Sequence, residues 1–227
     1  MDFSGKVAVV NGADTPFGQA VSLAFAKTGA SLGITGANTH KLAETLALLQ
    51  SIAGTARSHA ANIAEATEAE QCVASLAQQL GERIDILVNV HVPDRAGPRE
   101  PAADQARWAS HMTVAAARFL AAPGGRVINV TSFAGLLGSA GDADDAIAAA
   151  GLIALSKSLA KDLAPRQITV NCVCVGPRGE DEAGNVPMKR PATAEDVIPA
   201  ILFLASTVAS YVTGLVLSVD GGHSRLP

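Results

Sequence analysis

The 227 residues are 48% hydrophobic with a formal net charge of -4, enough to bury one sizeable core and too few for two full-sized domains. The 17 lysines and arginines are scattered rather than gathered into a stripe, which argues against a nucleic-acid partner, and no apolar run reaches membrane-spanning length. The opening Met1-Asp2-Phe3-Ser4-Gly5-Lys6 carries no basic stretch and no signal-peptide core, so the cytoplasm is the expected location. Cys72, Cys172 and Cys174 lack CxxC spacing; buried packing is expected of them, with no metal or redox site.

In chain order, residues 6–10 (KVAVV) form an apolar run that ends at Asn11-Gly12 and is followed by a helical pattern over 16–28, stopped by Gly29-Ala30. A short strand over 31–35 leads through Gly36 to a helix around 40–52. An amphipathic stretch at 65–80 then precedes the apolar run 84–90. Residues 127–130 (VINV) read as the next strand, 145–163 as a long helix and 168–175 (ITVNCVCV) as another strand. A helix over 194–205 and a last strand over 216–219 complete the series before Asp220-Gly221-Gly222.

Strands alternating with helices of this length predict one Rossmann-like α/β domain, a doubly wound parallel sheet with helices on both faces. The Pro/Gly-rich patches at 93–101 and 176–191 fall between a strand and a helix, beyond strand carboxyl ends, where such sheets place a ligand.

The segments 5–10, 81–89 (GERIDILVN), 124–135 (GGRVINVTSFAG), 151–163 (GLIALSKSLAKDL) and 211–222 (YVTGLVLSVDGG) resemble the short-chain dehydrogenase/reductase family, in the family's own order. The resemblance implies hydride transfer between a nicotinamide cofactor and a carbonyl or alcohol. It also implies a TGxxxGxG turn for the pyrophosphate and a catalytic set of Asn, Ser, Tyr and Lys.

Set against that pattern, Gly12 and Gly18 stand at glycine positions, while Pro16 replaces the middle glycine and removes an N–H donor. Pro16 is equally a good first helical residue. Asp14 brings negative charge towards the phosphate position. Gly36 and Ala37 fall where the family has the acidic or basic ribose-end residue, Asn62 where it has the adenine-contacting Asp, and Asn89-Val90-His91-Val92 in place of NNAG. Val92 is expected to intrude on cofactor space, and Glu180 replaces a cofactor-contacting Thr. Gly12, Gly18, Asn62 and Asn89 are therefore read as remnants, with no cofactor bound by this chain. The stretch from Gly176 to Arg190 is shorter than the family's, so the substrate lid is shortened or deleted.

At the catalytic positions the resemblance retains Ser132, replaces Tyr by Asp145 and Lys by Ala149, and leaves either His111 or Ala115 for the Asn. Asp142, Asp144 and Asp145 together suit a solvated acidic helix start. His40, His59 and His223 read as surface residues and His91 as a loop residue.

The resulting expectation is a pseudoenzyme, no enzyme on its own: a structural subunit pairing with an active homologue, in a heterotetramer whose NAD lies in that partner. The retained segments 145–163 and 191–222 resemble the family's assembly surfaces, although folding alone can also require them. The alternatives are a stand-alone oxidoreductase using Ser132 with Asp145 or His111, and a small-molecule sensor that binds without reacting.

Overall fold

The computed structural model describes residues 1–52, 54–92, 102–140, 142–180 and 183–225. Strand β1 (Val7–Asn11) is buried throughout. Helix α1 (Pro16–Lys27) begins with proline at its first position, where no N–H is needed, and Thr15 caps it by accepting from the Gly18 N–H at 3.0 Å. Strand β2 (Ser31–Gly36) leads to α2 (Thr39–Gln50), capped by Asn38. Then come β3 (Ala56–Ala60), α3 (Ala66–Gln79), β4 (Ile86–Val90) and α4 (Ala102–Ala116). The chain continues through β5 (Arg126–Ser132), the short α5 (Ala134–Leu137), α6 (Ala143–Leu163), β6 (Thr169–Val175), α7 (Ala194–Ala205) and β7 (Val216–Val219).

The seven strands pair in parallel in the order β3-β2-β1-β4-β5-β6-β7, a single-domain Rossmann-like fold whose order reverses between β1 and β4. Alternation along each strand supplies two cores. Val10, Ile34, Val88, Val130 and Val173 pack with Phe25 of α1, Leu49 of α2 and Ile201 of α7. Val9, Leu87, Val127 and Val170 pack with Leu76 of α3, Met112 of α4 and Ala160 of α6.

A polar row interrupts the second core. Asn11, Asn89 and Asn129 stand opposite one another in register. The Asn11 Nδ2 donates to Asn89 Oδ1 at 3.4 Å, and Asn89 Nδ2 donates to Asn129 Oδ1 at 2.9 Å. Asn129 Nδ2 then donates to Ser156 Oγ of α6 at 2.8 Å, and the Ser156 hydroxyl to the Leu152 carbonyl at 2.7 Å. Thr113 of α4 accepts from Asn89 at 3.4 Å. The row ties three strands to two helices.

The segment between β6 and α7 forms a 3-10 turn at Ala183–Asn185 and no α-helix among its described residues. It folds against the turn after β7: Met188 N–H donates to the Gly221 carbonyl at 3.3 Å, and a Cβ on Gly221 would meet Val186 Cγ1 at 2.7 Å. The shortened lid of the sequence reading is thus a strap on the C-terminal turn.

Residues 93–101, the whole of the first Pro/Gly-rich patch, lie outside the described residues. All three cysteines are buried, with Cys172 and Cys174 on one face of β6 beside Ile153. Among the described residues no His/Cys/Asp/Glu group is arranged to hold a metal, and no helix is long and apolar enough to cross a membrane.

Asn129→Ala removes the member of the row that both receives from β4 and donates to α6, leaving Asn89 and Ser156 with unsatisfied buried groups. A loss of about 3 kcal/mol in urea unfolding is expected, and a loss below about 1 kcal/mol would show that the row is not coupled.

Candidate functional site

The site is the carboxyl edge of the sheet at the β1–β4 reversal, where an open α/β sheet binds its ligand. The turn from β1 to α1 is held tightly: Gly12 and Ala13 N–H groups donate to the Thr35 carbonyl at 2.9 and 3.0 Å, and the Thr45 hydroxyl donates to the Ala13 carbonyl at 2.9 Å. Gly12 has φ +84°, and a Cβ there would meet the Val90 carbonyl oxygen at 2.6 Å. A Cβ on Gly18 would overlap the Gly12 carbonyl. Both glycines are thus demanded by close backbone approach.

Asp14 does not project over the start of α1 as its place in the turn suggested. Its carboxylate crosses to the end of β2, accepts from the Asn38 N–H at 2.8 Å, and occupies the volume a Gly36 side chain would enter. Val92, expected to crowd the groove, is 5% exposed and belongs to the core that contains Ala13, Phe17 and Val90. Asn62 closes its own turn, Oδ1 accepting from the Ala64 N–H at 3.3 Å. Asn89 is committed to the polar row.

Ser132 ends β5, 8% exposed, its hydroxyl accepting from the Ala134 N–H at 3.1 Å. Asp145 lies half-buried in the first turn of α6, its N–H capped by Asp142 Oδ1 at 3.3 Å. Ala149 is fully buried, and a Cβ on Gly135 would meet its methyl at 2.8 Å.

His111 is not brought towards Ser132: its Nδ1 lies 3.2 Å from the Ile63 carbonyl, on the connection leaving β3 in the opposite half of the sheet. Ala115 is core. Among the described residues, the α4 side chain that hydrogen-bonds a strand side chain is Thr113, through Asn89, and the sequence reading passed it over. His223 is no isolated surface residue, since its ring meets Phe133 edge-on at 4.9 Å and its Nδ1 lies 3.2 Å from the Asn185 carbonyl.

His91 lies just past the end of β4, as the sequence reading expected of a loop residue, but it is held and buried there: its N–H donates to the Val130 carbonyl at 2.8 Å, and it is 8% exposed. Among the described residues its Nε2 has no hydrogen-bond partner, and neither has Thr131 Oγ1 on the neighbouring strand. Burial pushes the imidazole down to about 4 from 6.5. A low proton affinity in the folded state means that the unfolded chain binds more protons below 6.5. The contribution is therefore intact above pH 6.5 and is lost as pH falls towards 4, by roughly 1.4 kcal/mol per pH unit. Urea unfolding of the wild type and His91→Phe between pH 4.5 and 7 should show a wild-type slope that the variant lacks.

A dinucleotide fits one end of this edge better than the other. The glycine turn, opened by Gly12 and Gly18 and bordered by the Asp14 carboxylate, suits a pyrophosphate and an adenosine ribose. At the reacting end, Asp145 and Ala149 stand where the resemblance places tyrosine and lysine.

Comparison with known proteins follows the same outline. Residues 12–224 match the family described as enoyl-(acyl carrier protein) reductase. The chain is 33% identical to a 3-oxoacyl-[acyl-carrier-protein] reductase of Synechocystis over 96% of its length and 97% of that protein's. It is 34% identical to the (2S)-[(R)-hydroxy(phenyl)methyl]succinyl-CoA dehydrogenase subunit BbsC of Thauera aromatica, covering 97% of this chain and 95% of that one. The Pseudomonas aeruginosa RhlG/NADP active-site complex superposes with a TM-score of 0.84 at 25% identity, covering 98% of both chains. These likenesses overturn the expectation that the chain is no enzyme on its own, because the matched family and the whole-length relatives are reductases and dehydrogenases. With five sequence blocks, seven parallel strands and full-length likeness in agreement, the chain belongs to the short-chain dehydrogenase/reductase family.

Proposed function

We propose that this chain works as one subunit of a hetero-oligomeric, NAD-dependent short-chain oxidoreductase in the cytoplasm. It is paired, as a heterotetramer, with a homologue that carries the tyrosine and lysine of proton transfer. The observation that carries this reading is Ala149: a fully buried methyl packed at Gly135 occupies the place from which a lysine would reach the ribose and the tyrosine. Members of the family usually bind NAD or NADP, and in this assembly the NAD of the hydride step is held by the homologue. When bound, NAD accepts or supplies the hydride, while the homologue's tyrosine passes the proton.

Two surfaces support pairing. Helices α4 and α6 pack side by side and expose Val114 (61%) and Ile147 (59%). The C-terminal end exposes Val208 and Tyr211 ahead of β7. Apolar side chains so placed suit a subunit interface. The Thauera relative, by name a subunit of a dehydrogenase acting on an aryl hydroxymethyl succinyl-CoA thioester, is the pattern for the assembly.

Co-expression with a homologue that contains YxxxK tests the reading. The two chains should co-elute as one species with NAD-dependent alcohol oxidation. Val114→Asp with Ile147→Asp should dissociate it, and Tyr→Phe in the homologue should lower the turnover of the pair. Separate elution of the two chains, or an assembly that Val114→Asp with Ile147→Asp leaves intact, would overturn the proposal.

A further inference from the structure

The connections that leave β5, β6 and β7 at the carboxyl edge meet at one side chain, His223. Phe133, the residue after Ser132, donates its N–H to the Val175 carbonyl at 2.9 Å, and the His223 imidazole meets its ring edge-on at 4.9 Å. The strap of residues 183–192 follows β6, and the turn after β7 carries His223 itself.

The two halves of the strap are held differently. At its far end the Ala192 N–H donates to the Pro177 carbonyl at 2.7 Å, and Arg190 donates to both carboxylate oxygens of Asp196 in α7, at 2.6 and 2.7 Å. The near half rests on the turn after β7. His223 Nδ1 lies 3.2 Å from the Asn185 carbonyl, and the Met188 N–H donates to the Gly221 carbonyl at 3.3 Å. Val186 and Pro187 fill the space that side chains on Gly221 and Gly222 would take, which leaves Val186 2% exposed.

The turn is a firm seat for these contacts. Asp220 Oδ1 accepts from the Gly222 N–H at 3.0 Å and Oδ2 from the Ser224 N–H at 2.9 Å. A Cβ on Gly176 would meet Asp220 Cα at 2.5 Å, so the turn sits directly on the end of β6. The charged, bidentate bonds thus lie at the end where the strap can pivot, and the weaker contacts lie at the end where it can separate.

We propose that the turn after β7 is a latch that holds the strap shut beside Ser132, and that a ligand reaches Ser132 when His223 leaves Phe133 and the near half of the strap swings out about Arg190 and Ala192. Ser132 is 8% exposed with the latch engaged. The latch rests on the carboxyl edge being the binding site, and it operates whether or not the chain pairs with a homologue.

The test places a probe thiol at that point by Ser132→Cys, the native Cys72, Cys172 and Cys174 being buried. The purified full-length variant is treated with iodoacetamide, alkylation at position 132 is read by peptide mass spectrometry, and hydrogen exchange of the Met188 amide is followed in parallel. Adding His223→Ala removes the ring contact and the bond to Asn185, and it should speed both rates about tenfold while amides in the middle of β5 keep their protection. Gly221→Ala, whose methyl would meet Val186, should act in the same direction by displacing the strap.

Unchanged rates in a folded His223→Ala protein, or faster exchange at Met188 with no gain in alkylation, would overturn the proposal. If neither added variant folds, Ser132→Cys alone decides through the urea dependence of alkylation. A rate insensitive to low urea marks a local opening and supports the latch, and a rate that climbs in step with global unfolding sinks it. Pairing is read separately by co-elution, so failure of one reading is distinguishable from failure of the other.

Discussion

The constraint on which the rest of the structure depends is the polar row through the middle of the sheet. Buried amides need partners, and among the described residues those of Asn89 are the amides directly across the register and the Thr113 hydroxyl. Slipping β1, β4 or β5 by one residue would turn its asparagine into the opposite core and strand the others. An apolar row at the same level would tolerate such a slip. The row therefore fixes which residues end each strand, and so where Asn11, His91 and Ser132 emerge at the carboxyl edge.

Much of the fold was legible in the chain because its strands are buried on both faces. Val7–Asn11, Ile86–Val90 and Thr169–Val175 are predominantly apolar and buried throughout, and α7 and β7 were bounded at the residues observed. Strand β3, Ala56–Ala60, was not legible, since at the sheet edge only Ala56 is buried and the remaining residues carry no alternation. The start of α4 was obscured for a different reason: Ala-rich, weakly amphipathic sequence carries little signal of which face is inside.

The site was legible in its identities and not in its directions. Alignment to a family pattern assigns a residue to a position, and the side chain's path is settled only by packing. Asp14 was placed by its neighbours in the turn, yet a missing side chain 22 residues away decided where its carboxylate went. His91 is a loop residue as the end of the apolar run at Val90 indicates, and what the sequence did not carry is its burial and the bond from its N–H to the Val130 carbonyl. His111 and Ala115 both competed for one catalytic position, and Thr113, between them, faces the strands because helical periodicity turns it inward.

The seating of Asp14 over Gly36 also bears on how this chain can change by mutation. An acidic residue restored at position 36 alone would force two carboxylates into one volume, where both cannot remain charged at low cost. Loss of Asp14 alone would leave the Asn38 N–H without that acceptor and an open volume over Gly36. Neither position can be exchanged singly without passing through a worse intermediate, so the pair forms a ratchet. Lineages that share the aspartate in the turn are then constrained to share the glycine at the strand end, a correlation that can be read from sequences alone.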